Sequence, residues 1–576
     1  MSYTFVTAAQ LRKCLVRNKT VCHMIGHFSS TPSRFTPRKS RGFALAAWCV
    51  IAGAIADGQE PPPTSRQDES QAATPTATAQ LGPLYIREYR VRGNKLLKPV
   101  EIEEAVYPFL GPGRSENDIE QARLGLEKAY KSKGYQTVYV ELPQQTGARG
   151  VIYFNVVEAT VGRLRVKGSR YFLPSKIKAQ APSMAEGTVP NFNDVTKDIQ
   201  ALNRWRDRKI TPELKAGVVP GTVDIDLNVE DKLPLHGSLE LNNQHNANTV
   251  PLRLSGSISY SNLWQLGHTL GLSFQVAPEK TSDGTVYSAF YTFPLESAEG
   301  WSVLLTGALQ DSNISTLGGG AVIGKGTIFG FRLMRTLPAE SGYYHSLSFG
   351  MDYKDFIQDL NAAGAVVSSP ITYYPFTLSY SAGHVAERSF TEFNAALVFH
   401  SSSMGDSRAQ FAARRFNAKD NFFYLRGDLS HTHDLPQGFQ VYTRVQGQAA
   451  PQPLINTEQI AGGGQNSVRG YLVATQLGDS GIFGSMEFRS PNFIGGPKDR
   501  ENEWRVYGFL DGGKLFVNST LPTEKRSHDL ASVGFGTRFR YLDHITGSLD
   551  MGMPLVTQPD AIAHDIYFFF RLGVEF

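Results

Sequence analysis

The residues best suited to do chemistry lie between Ala461 and Leu472, AGGGQNSVRGYL. Three consecutive glycines let the backbone reach φ > 0 and close approaches at little steric cost. Val468-Arg469-Gly470-Tyr471 follows, with a cation and an aromatic phenol flanking a further flexible hinge. These types serve directional charge pairing and hydrogen bonding rather than bond making. Other arrangements offer less. Gly319–Lys325 has G-x-x-x-x-G-K spacing, but Gly326 stands where a Ser or Thr would hold Mg²⁺, and no strand-to-helix setting surrounds it. His431 and His433 are of a type that can share a metal. They have the parity of Phe423, Leu425 and Leu429, just before a turn at Asp434–Gly438, which points to a membrane interface instead. No carboxylates pair for acid–base work and no serine sits in a nucleophile elbow, so no enzyme, cofactor or metal site is expected. The three cysteines all precede residue 50, which leaves the rest without a disulfide or thiolate metal site.

The elements that must hold Arg469 are strands. From Leu235 to Phe576 helical periodicity disappears and short alternating runs recur. Phe439, Val441, Val445 and Ala449 alternate with Gln440, Tyr442, Arg444 and Gln448. Ile566, Phe568, Phe570, Leu572, Val574 and Phe576 share one face of the last run. Such alternation over about ten residues, with turns between, is the signature of a transmembrane barrel. A bilayer leaves no unpaired backbone, so the sheet must close. The 342 residues, at roughly 20 per strand and connection, give about 16 antiparallel strands. Counted back from Phe576, the runs 566–576, 545–553, 532–541, 504–511, 482–490 and 439–450 become strands 16 to 11. The 31-residue gap from Pro451 to Gly481, long for a compact sheet, then becomes the sixth extracellular loop.

Upstream, residues 84–159 and 160–232 read as two copies of a β-α-α-β-β module. Each opens on a strand and a glycine turn, Val91-Arg92-Gly93-Asn94 and Val166-Lys167-Gly168-Ser169. In the first copy the strand spans Tyr85–Arg92, one helix lies around Val100–Leu110, and another starts at Ser115-x-x-Asp118, a capping-box pattern. In the second, Val195, Ile199 and Leu202 mark a helix. Val223, Ile225, Leu227 and Val229 alternate with Asp224, Asp226, Asn228 and Glu230, as in a half-buried strand. Residues 57–83 are rich in Pro, Thr, Ala and Gln and form a disordered linker. Ahead of it, Arg38-Lys39-Ser40-Arg41 and the 14-residue apolar run Phe43–Ala56 read as a signal peptide cut after Ala56, which takes the protein out of the cytoplasm. No run of about 18 apolar residues is available for a transmembrane helix. Eight of the 57 basic residues lie in the leader, so the remainder nets −4 against 53 acidic residues and gives no case for nucleic acid.

Together these features resemble the two-partner secretion transporters, the filamentous-haemagglutinin and haemolysin exporters of the outer-membrane insertase superfamily, whose small modules are polypeptide-transport-associated (POTRA) domains. The resemblance spans about residues 84–576. Val468-Arg469-Gly470-Tyr471 matches the superfamily's VRGY-type motif on the tip of the sixth loop, and Phe509, Asp511 and Gly513 match its F-x-D-x-G motif on strand 13. If Val506 and Leu510 face lipid, Asp511 faces the lumen, where Arg469 would latch the loop. Asn262–His268 is similar to the family's N-L-x-G-x-G-type segment, with Leu266 in place of a more usual polar residue. Tyr291–Leu295 is similar to its Y-S-x-P-L segment. Residues 57–83 depart from those members that carry an amphipathic plug helix before the first POTRA domain. The resemblance implies an outer-membrane barrel with periplasmic POTRA domains that exports a large partner exoprotein carrying an N-terminal secretion domain. It also implies a loop that gates the pore, assembly through a C-terminal strand signal ending at Phe576, outer-membrane lipids as surroundings, and a monomer. An assembly factor for other barrels shares the loop motif but usually carries more POTRA domains. A passive porin needs neither.

Overall fold

The computed structural model describes residues 84–576, apart from 146, 248, 296–297, 313–323, 340–341, 363–364, 496–500 and 523. The expected leader and linker, and most of the Gly319–Lys325 run, lie outside the described residues.

The first N-terminal unit comprises β1 (Glu88–Arg92), α1 (Pro99–Val106), α2 (Glu116–Ser132), β2 (Tyr139–Glu141) and β3 (Val151–Val157). The sheet order is β1-β3-β2, with β1 parallel to β3. Helix α2 starts where the spacing predicts. Ser115 Oγ accepts from the Asp118 N–H, and Asp118 accepts from the Ser115 N–H at 2.8 Å. Its Ile119, Ala122, Leu126 and Tyr130 then fall on one face and fill the core against Ile152, Phe154 and Val156. The strand expected over Tyr85–Arg92 is divided. Leu84–Ile86 pairs with Gly111–Arg114 instead, and the Arg87 N–H between the two pieces bonds to Gly150 O, next to the Val151 that pairs with Glu88.

The second unit repeats the plan with β4 (Thr160–Lys167), α3 (Pro174–Ala179), α4 (Phe192–Leu202), β5 (Arg208–Ala216) and β6 (Thr222–Asp231), in the order β4-β6-β5. The two turn glycines do the same job in both copies. Gly93 and Gly168 have φ of +84° and +82°, and a Cβ would lie 2.4 Å from Val156 O in one and 2.5 Å from Val229 O in the other. The half-buried reading of β6 needs correction. Asp224 and Asp226 are buried as well, because Arg165, Lys167 and Lys215 reach over from the flanking strands to cover Asp226.

The barrel closes. Its sixteen antiparallel strands are β7 (Leu235–Asn242), β8 (Arg253–Leu263), β9 (His268–Val276), β10 (Gly284–Pro294), β11 (Trp301–Ser312), β12 (Gly324–Thr336), β13 (Tyr343–Ala362), β14 (Ala365–Tyr373 and Phe376–Val385), β15 (Ser389–His400), β16 (Phe422–Asp434), β17 (Gln440–Ala449), β18 (Ser480–Arg489), β19 (Glu503–Phe516), β20 (Ser527–Tyr541), β21 (Ile545–Pro554) and β22 (Tyr567–Glu575). Both pieces of β14 pair with β13, and Tyr374-Pro375 interrupts it because proline has no N–H for the ladder. Outward positions are apolar (Ile482, Met486 and Phe488; Val506 and Leu510; Phe568, Leu572 and Val574), whereas their neighbours Glu487, Arg489, Asp511 and Phe569 are buried on the inside. That alternation is what a lipid-facing, polar-lined barrel requires. Helical structure does not vanish after Leu235 as the pattern suggests. A short helix α5 (Arg408–Arg414) in the fifth loop buries Phe411 against Phe356, Tyr373 and Phe422. Seven residues are too few to stand out as a helical period.

Candidate functional site in the barrel lumen

The sixth loop leaves β17 at Ala449 and rejoins the wall at Ser480 on β18. Rather than standing out in solvent, it turns back inside the barrel as a small ribbon, Ile460–Gly462 paired with Gln476–Gly478. The glycines form the tip. Gly463, Gly464 and Gly470 have φ of +110°, +87° and +88°, values that a side chain resists. Ser467 Oγ accepts from the Gly463 N–H, and the Gly464 N–H bonds to Tyr471 O, so the tip is closed on itself. Gly470 meets Gly552 of β21 backbone to backbone: a Cβ on Gly552 would lie 2.6 Å from Gly470 N.

Arg469 spans from this tip to the wall. Its Nε and Nη2 donate side-on to both oxygens of Asp511 on β19 (2.7 and 2.8 Å), and its own backbone N–H adds a third bond at 3.0 Å. Nη1 donates to Glu487 at 2.7 Å and Nη2 to Ser485 at 3.0 Å, both on β18. The guanidinium carbon lies 3.7 Å over the centre of the Phe509 ring, a cation–π contact strengthened by the loss of water. Arg489 and Arg538 bind Glu487 from the other side, and Asp550 accepts from Tyr507 and Gln465. Three arginines therefore face three carboxylates, and the network is neutral. Burial without that balance would cost several kcal/mol per ion.

The other motif residues surround this contact. Val468 and Tyr471 are fully buried with Phe483, Leu515 and Leu530. The Tyr471 hydroxyl donates toward Val556 O at 2.8 Å and accepts from the Val556 N–H at 3.2 Å. Gly513 leaves room for Phe483, whose Cδ1 lies 2.2 Å from where a Cβ would be. Two further contacts hold the loop nearer its root, and sequence reasoning missed both. Glu458, 1% exposed, accepts from Lys354 (2.6 Å), Tyr373 (2.6 Å) and Tyr424 (2.7 Å) on three separate strands. Asp479 accepts from Arg415 through both oxygens and from the Leu454 and Asn518 N–H groups. Glu487 and Arg489 were missed too; the signal that could have found them is their parity opposite to Ile482, Met486 and Phe488.

The remaining expected residues lie elsewhere. Phe576 seals the barrel seam, exchanging backbone hydrogen bonds with Gly237 and laying its ring where a Gly237 side chain would sit. His431 Nδ1 lies 2.8 Å from the Thr391 hydroxyl, and its ring stacks on His433. Asn262–Gly267 forms the first periplasmic turn against the second N-terminal unit. Tyr291 packs with His268 and Phe293 at the same rim.

A closed barrel of sixteen strands, with POTRA domains before it and a loop pinned within its own lumen, defines an outer-membrane transporter with its N-terminal domains in the periplasm. The profile of the haemolysin secretion/activation protein ShlB/FhaC/HecB family matches residues 221–539, and that of the ShlB-type POTRA domain matches residues 84–159. The chain belongs to this family, the outer-membrane transporters of two-partner secretion. The outer membrane transporter CdiB of Escherichia coli is 22% identical over 535 residues, 87% of this chain and 84% of the relative. The solved structure of CdiB from Escherichia coli superposes with a TM-score of 0.58 at 20% identity, covering 88% of this chain and 93% of that one. BamA from Haemophilus ducreyi lacking POTRA domains 1–3 gives 0.54 at 15% identity, covering 85% and 100%.

Proposed function

We propose that this transporter exports a large exoprotein of haemolysin or adhesin type, captured by its POTRA domains and admitted when the sixth loop shifts. The observation that carries the reading is the Arg469 contact. It fixes the loop across the lumen through charge pairs that a moving loop can break and remake without covalent change. Residues 1–56 act as a signal peptide and 57–83 as a linker. The C-terminal strand ending in Phe576 serves recognition by the barrel assembly machinery. The protein works as a monomer among outer-membrane lipids and catalyses no reaction; folding of the cargo outside biases the passage.

The sheet edges support capture by strand addition. On β5 the Asn203 carboxamide occupies both the N–H and C=O of Ile210, and Pro212 has no donor to offer. On β4, Val161 already pairs with Gly187 and Thr188. On β2, Arg123 covers Val140 O. Among the described residues β1 carries no such cap, so Glu88–Arg92 is the edge offered to an extended segment of cargo.

The test is secretion itself. The chain is expressed with large exoproteins encoded in its own genome, and cargo is sought outside intact cells. Cargo that leaves only when this protein is present supports the reading. The fold shared with BamA favours one alternative, a factor that assembles other barrels. Poor porin assembly in its absence, with no cargo moved, would establish that instead.

A further inference from the structure

The first periplasmic turn, Asn262–Gly267, holds two neighbouring residues in a conformation they resist. Trp264 and Gln265 have φ of +61° and +57°, and the Leu266 N–H closes back to Leu263 O across them at 3.2 Å. Turns with two left-handed central residues ordinarily select Asn and Gly. Tryptophan and glutamine persist there only when their surroundings over-determine them. Trp264 is 70% exposed, so the constraint that holds the pair enters through Gln265. For Gln265 the surroundings are the second POTRA domain.

The Gln265 carboxamide reads that domain's backbone as a neighbouring strand would. Its Oε1 accepts from the Leu173 N–H at 2.9 Å, and its Nε2 donates to Tyr171 O at 3.0 Å. Asn262 braces it, donating to the same Oε1 at 3.0 Å and to Tyr171 O at 3.3 Å. Two more contacts flank the amide. The Trp205 ring lies where a side chain on Gly267 would be, 1.9 Å from an ideal Cβ. The Asp207 carboxylate lies 2.9 Å from His236 Nε2 and accepts from Ser261 Oγ at 2.7 Å. Arg208 is buried behind Trp205 and Phe172 and donates to Leu202 O, which stiffens the Trp205 side of the joint.

We propose that Gln265 is a positioning residue: its carboxamide fixes the second POTRA domain at one angle beneath the barrel, so that captured cargo is aimed into the lumen. Only an amide satisfies both partners, because a carboxylate at this position lacks the donor for Tyr171 O. The turn itself gains nothing from glutamine. At φ +57° glycine is the easier residue. The role in aiming cargo rests on the reading above that POTRA domains capture it; the role in setting the angle does not.

That difference makes the proposal testable in the full chain. Lys197 on the POTRA domain and Glu387 on another periplasmic turn are both exposed, and each is changed to cysteine and spin-labelled in a chain whose native cysteines all precede residue 50. Gln265→Gly relieves the turn and removes the clamp. Heat resistance of the folded barrel should be unchanged, while the interlabel distance distribution widens from one narrow peak and export falls severalfold. Gln265→Glu should widen it as well. An unchanged distribution in both variants overturns the positioning role. A widened distribution with undiminished export overturns its part in aiming cargo. If no cargo is exported even by the parent chain, the capture reading fails on its own while the distance measurement still decides the angle.

Discussion

Asp226 in the second POTRA domain and Asp511 in the barrel are both buried carboxylates gripped by cations, but the cations sit in different surroundings. Arg165, Lys167 and Lys215 approach Asp226 from the rim at 2.7, 2.7 and 3.0 Å, and each keeps more than two-fifths of its side chain in water. Arg469, which holds Asp511, is 7% exposed, and Arg489 beside it is 10% exposed. Losing one cation from the first cluster leaves two others and the solvent. Losing Arg469 strands Asp511 and overloads a balance of three charges against three. The first arrangement is a fastening for a small domain; the second holds a loop in one discrete place.

The largest effect expected from this contrast comes from Arg469→Ala. Removing one partner of a buried pair costs about 3–5 kcal/mol, which should undock the tip while the barrel persists, since ladder bonds along β18, β19 and β20 do not pass through it. Export should be lost, and hydrogen exchange over 461–475 should rise by orders of magnitude with that over β19 unchanged. Arg469→Lys should restore little, because a point charge cannot bond side-on to Asp511 and reach Glu487 together. A lysine variant that exports normally would show that charge alone suffices. Glu458→Gln should do less. The amide keeps the shape and some hydrogen bonds to Tyr373 and Tyr424, and Lys354 retains 17% exposure through which to find water. A loss of about 1–3 kcal/mol is expected, read as faster exchange over 450–460 with the tip still protected. Equal deprotection of the tip would mean that the loop is held as one piece rather than at separate heights.

How much of this was legible follows from the period of each signal. Alternation along β17 to β22 placed the sixth loop and put Asp511 opposite Val506 and Leu510, because side-chain parity in a strand depends only on the residue count. Height around the barrel depends on register between strands, which no single strand encodes. Glu487 pairs across from Phe509, and Ser485 from Asp511. That juxtaposition is what makes Glu487, Arg538 and Asp550 part of the site, and it was invisible. Glu458 is a stronger case: its partners lie on β13, β14 and β16, up to 104 residues away. In the POTRA domains the helix cap at Ser115 was legible because it is local, whereas the burial of Asp226 was not, since its cover comes from two other strands. The Asn262–Gly267 turn and the second POTRA domain were each visible, but the contact between them was not.

The smallest effect tests the contrast from the side of the POTRA domain. Hydrogen bonds from Lys167 and Lys215, with Arg165 adding to them, hold the Asp226 carboxyl well below the ordinary carboxylate range. A carboxyl whose pKa is lower in the folded state stabilises that state above its ordinary pKa, and the contribution fades as pH falls toward the folded value. The window therefore opens below about pH 4, where an unfolded aspartate takes up its proton. Hydrogen exchange over 160–231 in the full chain should accelerate as the pH is lowered through that window, after correction for intrinsic rates. Asp226→Asn should flatten this dependence and lower protection modestly at neutral pH, because the asparagine amide can accept from one cation but no longer attracts three. A variant with the same acid dependence as the parent would assign that dependence to other carboxylates, and Asp226 would then be a packing residue whose cations are held by solvent alone.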